Sequence, residues 1–179
     1  TEMLSDGQNL FDGLMQVHKL YQPDGMPVVF DLQVEAEILG CELHWAEFAP
    51  PSVKTHPLAD TQDMLCDCKQ PSAEKGRLPM ILDVMRKIKT AVGDDTALYG
   101  LICGPFTLAS HLRGNELFMD LILEEEYVQE LMTYTTQTAL KMVDLYADAG
   151  MDVIAVVDPL VSQISPDHFT TACHTAFKT

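Results

Sequence analysis

Two short apolar runs, Ala97–Cys103 and Val153–Val157, each stop at Pro with Gly or Asp before it, and the stretch between them reads as helix. Strand, helical crossover, strand is the pattern of a parallel sheet, because parallel neighbours cannot be joined by a tight turn. Val153–Val157 carries no polar alternation, which predicts a strand covered on both faces. In parallel α/β proteins, ligands and reacting groups gather where the strands end. Gly104-Pro105 and Asp158-Pro159 are therefore the places to look for chemistry.

The rest of the chain repeats the theme. Leu10, Leu14, Val17 and Leu20 form a helical stripe, ended by Pro23 and Gly25. Pro27–Phe30 reads as a buried strand running into Asp31, followed by a short helix over Val34–Leu39 that Gly40 stops. Cys41–Phe48 reads as extended, and the Pro-rich stretch Ala49–Ser72 as an excursion. Further helices are predicted from Leu78, with Pro79 in the first turn, to Gly93, and over Pro105–Leu112, Glu116–Leu123 and Glu124–Ala149. Ser165-Pro166-Asp167 looks like the cap and first turn of another. About three strand–helix units result, whereas a closed barrel needs eight strands and about 250 residues. The fold class is α/β: a small open sheet or a partial (β/α)8 barrel.

Composition removes several functions. The net charge of −16 argues against a nucleic-acid partner and against an anionic membrane surface, both of which need clustered Lys and Arg. No apolar run has the length of a membrane span. Five scattered Cys do not form a disulfide framework, so a cytoplasmic setting is the expectation. Cys66-Asp67-Cys68 has only His56 near it and lacks the spacing of a zinc site, so no metal is expected on this chain.

Four short motifs stand in a specific order: Asp31 with Val34-Glu35-Ala36-Glu37-Ile38-Leu39-Gly40-Cys41-Glu42, then Pro50-Pro51-Ser52-Val53, then Gly104-Pro105-Phe106-Thr107-Leu108-Ala109, then Asp158-Pro159 with Ile164-Ser165-Pro166. Together they resemble the uroporphyrinogen decarboxylase family, over Leu10 to about Phe169. That family comprises the decarboxylase and corrinoid-dependent methyltransferases. The resemblance implies a (β/α)8 barrel of roughly twice this length, of which the chain would supply about the second to fourth strands as a fragment of one domain.

The resemblance also implies site residues. Asp31 stands nine residues before Gly40, as the decarboxylase's catalytic Asp does before its own Gly. Asp158 at a strand end is the second catalytic candidate, and His111, Gly104 and Phe106 are candidate substrate contacts. Other positions depart from the decarboxylase. His111 stands where it has a Tyr, Asp158-Pro159-Leu160-Val161-Ser162 stands where it has Glu-Ser-His-Ala-Gly, and its early Arg-rich segment is absent. Val-Glu-Ala-Glu and Asp-Pro are the methyltransferase versions. The expectation is methyl transfer from a methylated cobamide, carried by a corrinoid protein or supplied as a small molecule, to a thiol or tetrahydrofolate. Zinc and a corrinoid would belong to the whole protein, with the zinc ligands beyond Thr179. The rivals are porphyrinogen decarboxylation and a non-catalytic binding module. The chain alone is expected to be inactive and to self-associate.

Overall fold

The computed structural model describes residues 2–47, 49–174 and 176–178. It opens with helices α1 (Glu2–Ser5) and α2 (Gly7–Tyr21), the second capped by the Asp6 carboxylate on the Asn9 N–H. Strand β1 (Gly25–Pro27) and helix α3 (Val34–Leu39) follow, then a small antiparallel pair, β2 (Leu43–His44) with β3 (Ser52–Val53). A 3-10 turn at Asp67–Lys69 leads to α4 (Leu78–Val92) and β4 (Ala97–Cys103). Three helices come next, α5 (Pro105–Arg113), α6 (Glu116–Leu123) and α7 (Glu125–Asp148), then β5 (Val153–Val157). Helix α8 (Pro166–His168), which continues as a π-helical turn over Phe169–Cys173, has its first turn capped by Ser165, as its Ser-Pro-Asp start predicts.

The sheet has the order β1-β4-β5, with both pairings parallel. Helices α2, α4 and α7 cover one face, Leu10, Ile81, Met85 and Tyr146 packing in one core with Leu98 and Ile102 of β4. A second core lies toward the carboxyl ends, where Leu39, Cys103, Phe106, Leu108 and Leu131 pack together. Gly100 lets the two layers meet. A Cβ there would lie 2.5 Å from Tyr146 Cδ2, so only a residue without one allows the ring to lie against the strand.

Two expectations need correction. The first strand is Gly25–Pro27, not Pro27–Phe30. Its pairing ends with the Val28 N–H on the Tyr99 carbonyl, and the chain then turns away, leaving Phe30 64 % exposed. The apolar Val28-Val29-Phe30 run resembles a strand because Val28 and Val29 are buried in the core, not because they lie in the ladder. Nor is β5 covered on both faces: it is an edge, with Val153 at 53 % and Val156 at 48 % exposure. Lack of alternation reports what a strand is built to be covered by, and here Val153 and Val156 stand about half exposed. In the segment read as extended, only Leu43–His44 is strand, and Phe48 lies outside the described residues. The excursion after it holds one short strand, Ser52–Val53.

Candidate functional site at the carboxyl ends of the strands

Because β1, β4 and β5 run parallel, Asp31, Cys103-Gly104-Pro105 and Asp158 lie at the same end of the sheet. Asp31 has no exposed side-chain surface. Its Oδ2 receives Arg77 Nη1 at 2.7 Å, and its Oδ1 accepts the Gln33 N–H at 2.9 Å. Arg77 also donates to Glu37 Oε2 at 2.7 Å and to the Leu4 carbonyl, and its guanidinium lies 4.9 Å from the Trp45 ring centroid. Burial works against the Arg77 charge, but Asp31 and Glu37 outweigh it and raise the pKa of the guanidinium above its ordinary value. Both oxygens of Asp31 are therefore committed. The bond to Gln33 is the turn a capping Asp makes, set just ahead of α3, and the ion pair is additional to it.

Glu35 is the residue that sequence reasoning quoted without recognising. Its Oε1 accepts the Cys103 N–H at 2.8 Å, taking the place of a neighbouring strand at the end of β4, while Oε2 is buried without a partner. Burial, helped by the nearby charge of Asp31, pushes this carboxyl up to about 7 despite the hydrogen bond and Arg77. The Cys103 thiol is pushed well up, first by burial and then by Glu35, Asp158 and Asp31. Three carboxyl groups thus converge on one strand end. The signal was present: Glu35 interrupts the apolar face of a short helix at a spacing of four from Leu39. Arg77 carried a signal too, since a cation at a helix N-terminus opposes the dipole and calls for a specific anionic partner.

Asp158 joins the ends of two elements. Its Oδ2 accepts the Phe106 N–H at 2.9 Å, and its Oδ1 accepts the Thr107 N–H at 2.8 Å and the Thr107 hydroxyl at 2.6 Å. The same hydroxyl accepts the Leu160 N–H at 3.2 Å. A carboxylate here satisfies free N–H groups of α5 and complements its dipole. Gly104 makes room, because a Cβ on it would collide with the Asp158 side chain. Phe106 is fully buried and packs edge-on against Phe118, with ring centroids 6.1 Å apart. His111 sits near the C-terminal end of α5. Its carbonyl accepts from His56 Nδ1 at 2.8 Å and from the Cys41 thiol, while its own Nδ1 is buried without a partner. Burial, then the neighbouring His56, lowers the His111 ring to about 4. The structure therefore gathers Asp31, Gly104 and Asp158 at the mouth, with Glu35. It places Phe106 in the core and His111 against the His56 loop.

The whole chain, residues 1–179, matches the family model described as Uroporphyrinogen decarboxylase (URO-D). The chain belongs to the uroporphyrinogen decarboxylase family. The methylcobamide:CoM methyltransferase MtbA of Methanosarcina acetivorans is 30% identical over 146 residues, 81% of this chain and 43% of that protein. The methylcobamide:CoM methyltransferase MtaA of Methanosarcina barkeri is 29% identical over 83% of this chain and 46% of that protein. The uroporphyrinogen decarboxylase of Nostoc punctiforme is 24% identical over 88% of this chain. A solved structure, a methyltransferase from Methanosarcina mazei, superposes with a TM-score of 0.91 at 24% identity, covering 99% of this chain and 53% of its own. The chain spans about half the length of the relatives it matches. The open three-stranded sheet is part of a barrel of this family's kind.

Zinc, which the family resemblance implies for the whole protein, does not fit the residues seen here. Among the described residues no three His, Cys, Asp or Glu side chains gather as a metal site. Cys66 and Cys68 are free thiols hydrogen-bonded to each other, and burial keeps the Cys41, Cys103 and Cys173 thiols protonated. No helix among the described residues is long and apolar enough to cross a membrane.

Proposed function

We propose that this chain is one half of the catalytic barrel of a methylcobamide-dependent methyltransferase, and that its mouth receives the methylated corrinoid. In the reaction a thiolate or tetrahydrofolate nitrogen takes the methyl group, the carbon–cobalt bond breaks, and its electron pair stays on cobalt. The acceptor's proton must leave. A methylated cobamide is bulky and reaches the mouth as a substrate, free or on a corrinoid protein.

The observation that carries this reading is the Asp31–Arg77 pair. Decarboxylation would need a free carboxylate at this position to stabilise a protonated pyrrole, and cationic groups to grip the substrate's acid side chains. Here the carboxylate is taken by Arg77 and Gln33, and Arg77 is itself spent on Asp31 and Glu37. The two relatives named as methylcobamide:CoM methyltransferases are also more identical to the chain than the decarboxylase. On this reading Asp31 and Asp158 are positioning residues that hold α3 and α5 at the mouth. The Glu35 carboxyl, held at about 7, keeps its proton up to near neutral pH, and His111 Nδ1 stays buried without a partner.

The test is complementation. The 179-residue chain is co-folded with the complementary C-terminal half of the Methanosarcina mazei methyltransferase and assayed with methylcobalamin and 2-mercaptoethanesulfonate. Thiol-dependent loss of the carbon–cobalt absorbance, absent with either half alone, supports the reading. Release of carbon dioxide from uroporphyrinogen by the same pair, without thiol methylation, contradicts it.

A further inference from the structure

We propose that Cys66 and Cys68 form a reversible dithiol–disulfide couple that exchanges with small-molecule disulfides of the glutathione type. The couple lies outside the mouth, on the 3-10 turn Asp67–Lys69, and does not depend on the methyl-transfer reading.

The geometry sets the two sulfurs together. Cys66 stands in extended conformation just before the turn, and its Sγ accepts the Cys68 N–H at 3.2 Å. The two thiols are also hydrogen-bonded to each other. The turn is held from several sides. The Cys66 carbonyl accepts the Lys69 N–H at 2.9 Å and the Tyr134 hydroxyl at 3.3 Å. Lys75 Nζ donates to the carbonyls of Cys68 and Gln70. The pair is thus presented on a fixed turn and not on a free loop.

Chemistry selects these two thiols from five. Cys66 and Cys68 are exposed, while Cys41, Cys103 and Cys173 are buried. Burial pushes Cys41 and Cys173 up to about 12. The bond from the Cys68 thiol, the Cys68 N–H and the charge of Lys75 lower Cys66 despite Asp67. Since the thiolate is the nucleophile in exchange, Cys66 is the attacking sulfur. With no third ligand within reach among the described residues, the pair suits exchange better than a closed metal site, which takes four ligands.

The steps balance. The Cys66 thiolate attacks one sulfur of the small disulfide; that S–S bond breaks, and the first small thiolate leaves and takes a proton from Cys68. The Cys68 thiolate then attacks Cys66 Sγ in the mixed disulfide and displaces the second small thiolate, which takes a proton from water. The protein loses two thiols to one disulfide, and the small disulfide is reduced to two thiols. Bridging residues only two apart departs from relaxed disulfide geometry, so the bond is easily reduced again.

The test uses the intact chain with oxidised glutathione, then trypsin without reductant. Cleavage after Lys54 and Lys69 gives the peptide Thr55–Lys69, which holds both Cys and no others. The expected result is loss of two hydrogens from this peptide, reversed by dithiothreitol, with Cys41, Cys103 and Cys173 alkylated only after unfolding. The C68S variant, exposed and remote from the core, should accumulate a stable glutathione adduct on Cys66. A peptide that stays reduced, a lasting adduct on the intact pair, or equal oxidation of the three buried Cys would overturn the proposal.

Discussion

Asp158 and Thr107 are bonded twice, backbone N–H to Oδ1 at 2.8 Å and hydroxyl to the same oxygen at 2.6 Å. This contact fixes the exit of β5 against the first turn of α5, so that the two strand ends of the mouth move as one unit. An Asp at the end of a barrel strand is usually read as catalytic. Here the side chain is occupied with the neighbouring helix.

Removing the clamp should lower stability. D158A leaves the Phe106 and Thr107 N–H groups without their acceptor, at a cost of about 1–2 kcal/mol by analogy with lost helix caps. G104A forces a Cβ into Asp158 and should cost about as much or more, as overpacking does. In a double-mutant cycle, D158A and T107A should cost clearly less together than the sum of the singles. Additive urea-melt values would show that the two side chains do not act together.

The Asp31–Arg77 pair makes a sharper prediction. Asp31 is buried, so R77M strands its charge, and breaking such a pair from one side costs roughly 3–5 kcal/mol. D31N keeps an acceptor for Gln33 and should cost less. Chemical denaturation of both variants checks the order; R77M behaving like wild type would refute the buried pair.

Glu35 sets a pH dependence. Its carboxyl is held at about 7 in the folded chain against an ordinary value of 4.5. Below about 4.5 both states hold the proton and the contribution is intact. As pH rises from 4.5 to 7 the unfolded chain releases the proton first, so stability falls, by on the order of 3 kcal/mol in all. His111 works in the opposite sense: its ring is lowered from 6.5 to about 4, so its contribution is lost as pH falls through that range. Comparing E35Q with wild type at each pH cancels His111. The variant should gain on wild type from pH 5 to pH 8 in urea melts. A difference that does not change with pH would mean that Glu35 is ionised throughout.

The elements that could be read from sequence were those whose pattern is local. The helix Leu78–Val92 and the strands Ala97–Cys103 and Val153–Val157 declare themselves by period, length and stop residues. The strand Gly25–Pro27 does not, because three paired residues next to a longer apolar run leave the run as the stronger signal. At the site, Asp31 and Asp158 were found from their positions at strand ends, but their partners were not. Arg77 lies 46 residues from Asp31 and Thr107 lies 51 from Asp158, and no local pattern encodes contacts of that range. Phe106 shared a motif with Gly104 while its side chain serves the core.

The exposed edge of β5 bears on association. Val153 and Val156 are about half exposed, and a cavity of ≈ 190 Å³ lies beside Val156, Leu140 and Val143. Unpaired edge groups recruit another strand, and each apolar side chain of this size left in water forgoes roughly 1.5–3 kcal/mol. The purified chain should therefore self-associate and show no methyl transfer by itself. Light scattering checks the first point, and a lasting monomer at micromolar concentration would contradict it. Turnover of methylcobalamin by the chain alone would contradict the second.

The central claim is that this mouth is built for a methylated corrinoid and not for a porphyrinogen. Trp45, the single Trp of the chain, stacks on the Arg77 that holds Asp31, so its fluorescence reports on the site. The decisive measurement is a titration of that emission, corrected for ligand absorbance, with methylcobalamin and separately with uroporphyrinogen III in the dark under reducing conditions. The account predicts saturable quenching by methylcobalamin and no saturable response to uroporphyrinogen. Saturable binding of uroporphyrinogen, lost in D31N, with no response to methylcobalamin, would contradict it.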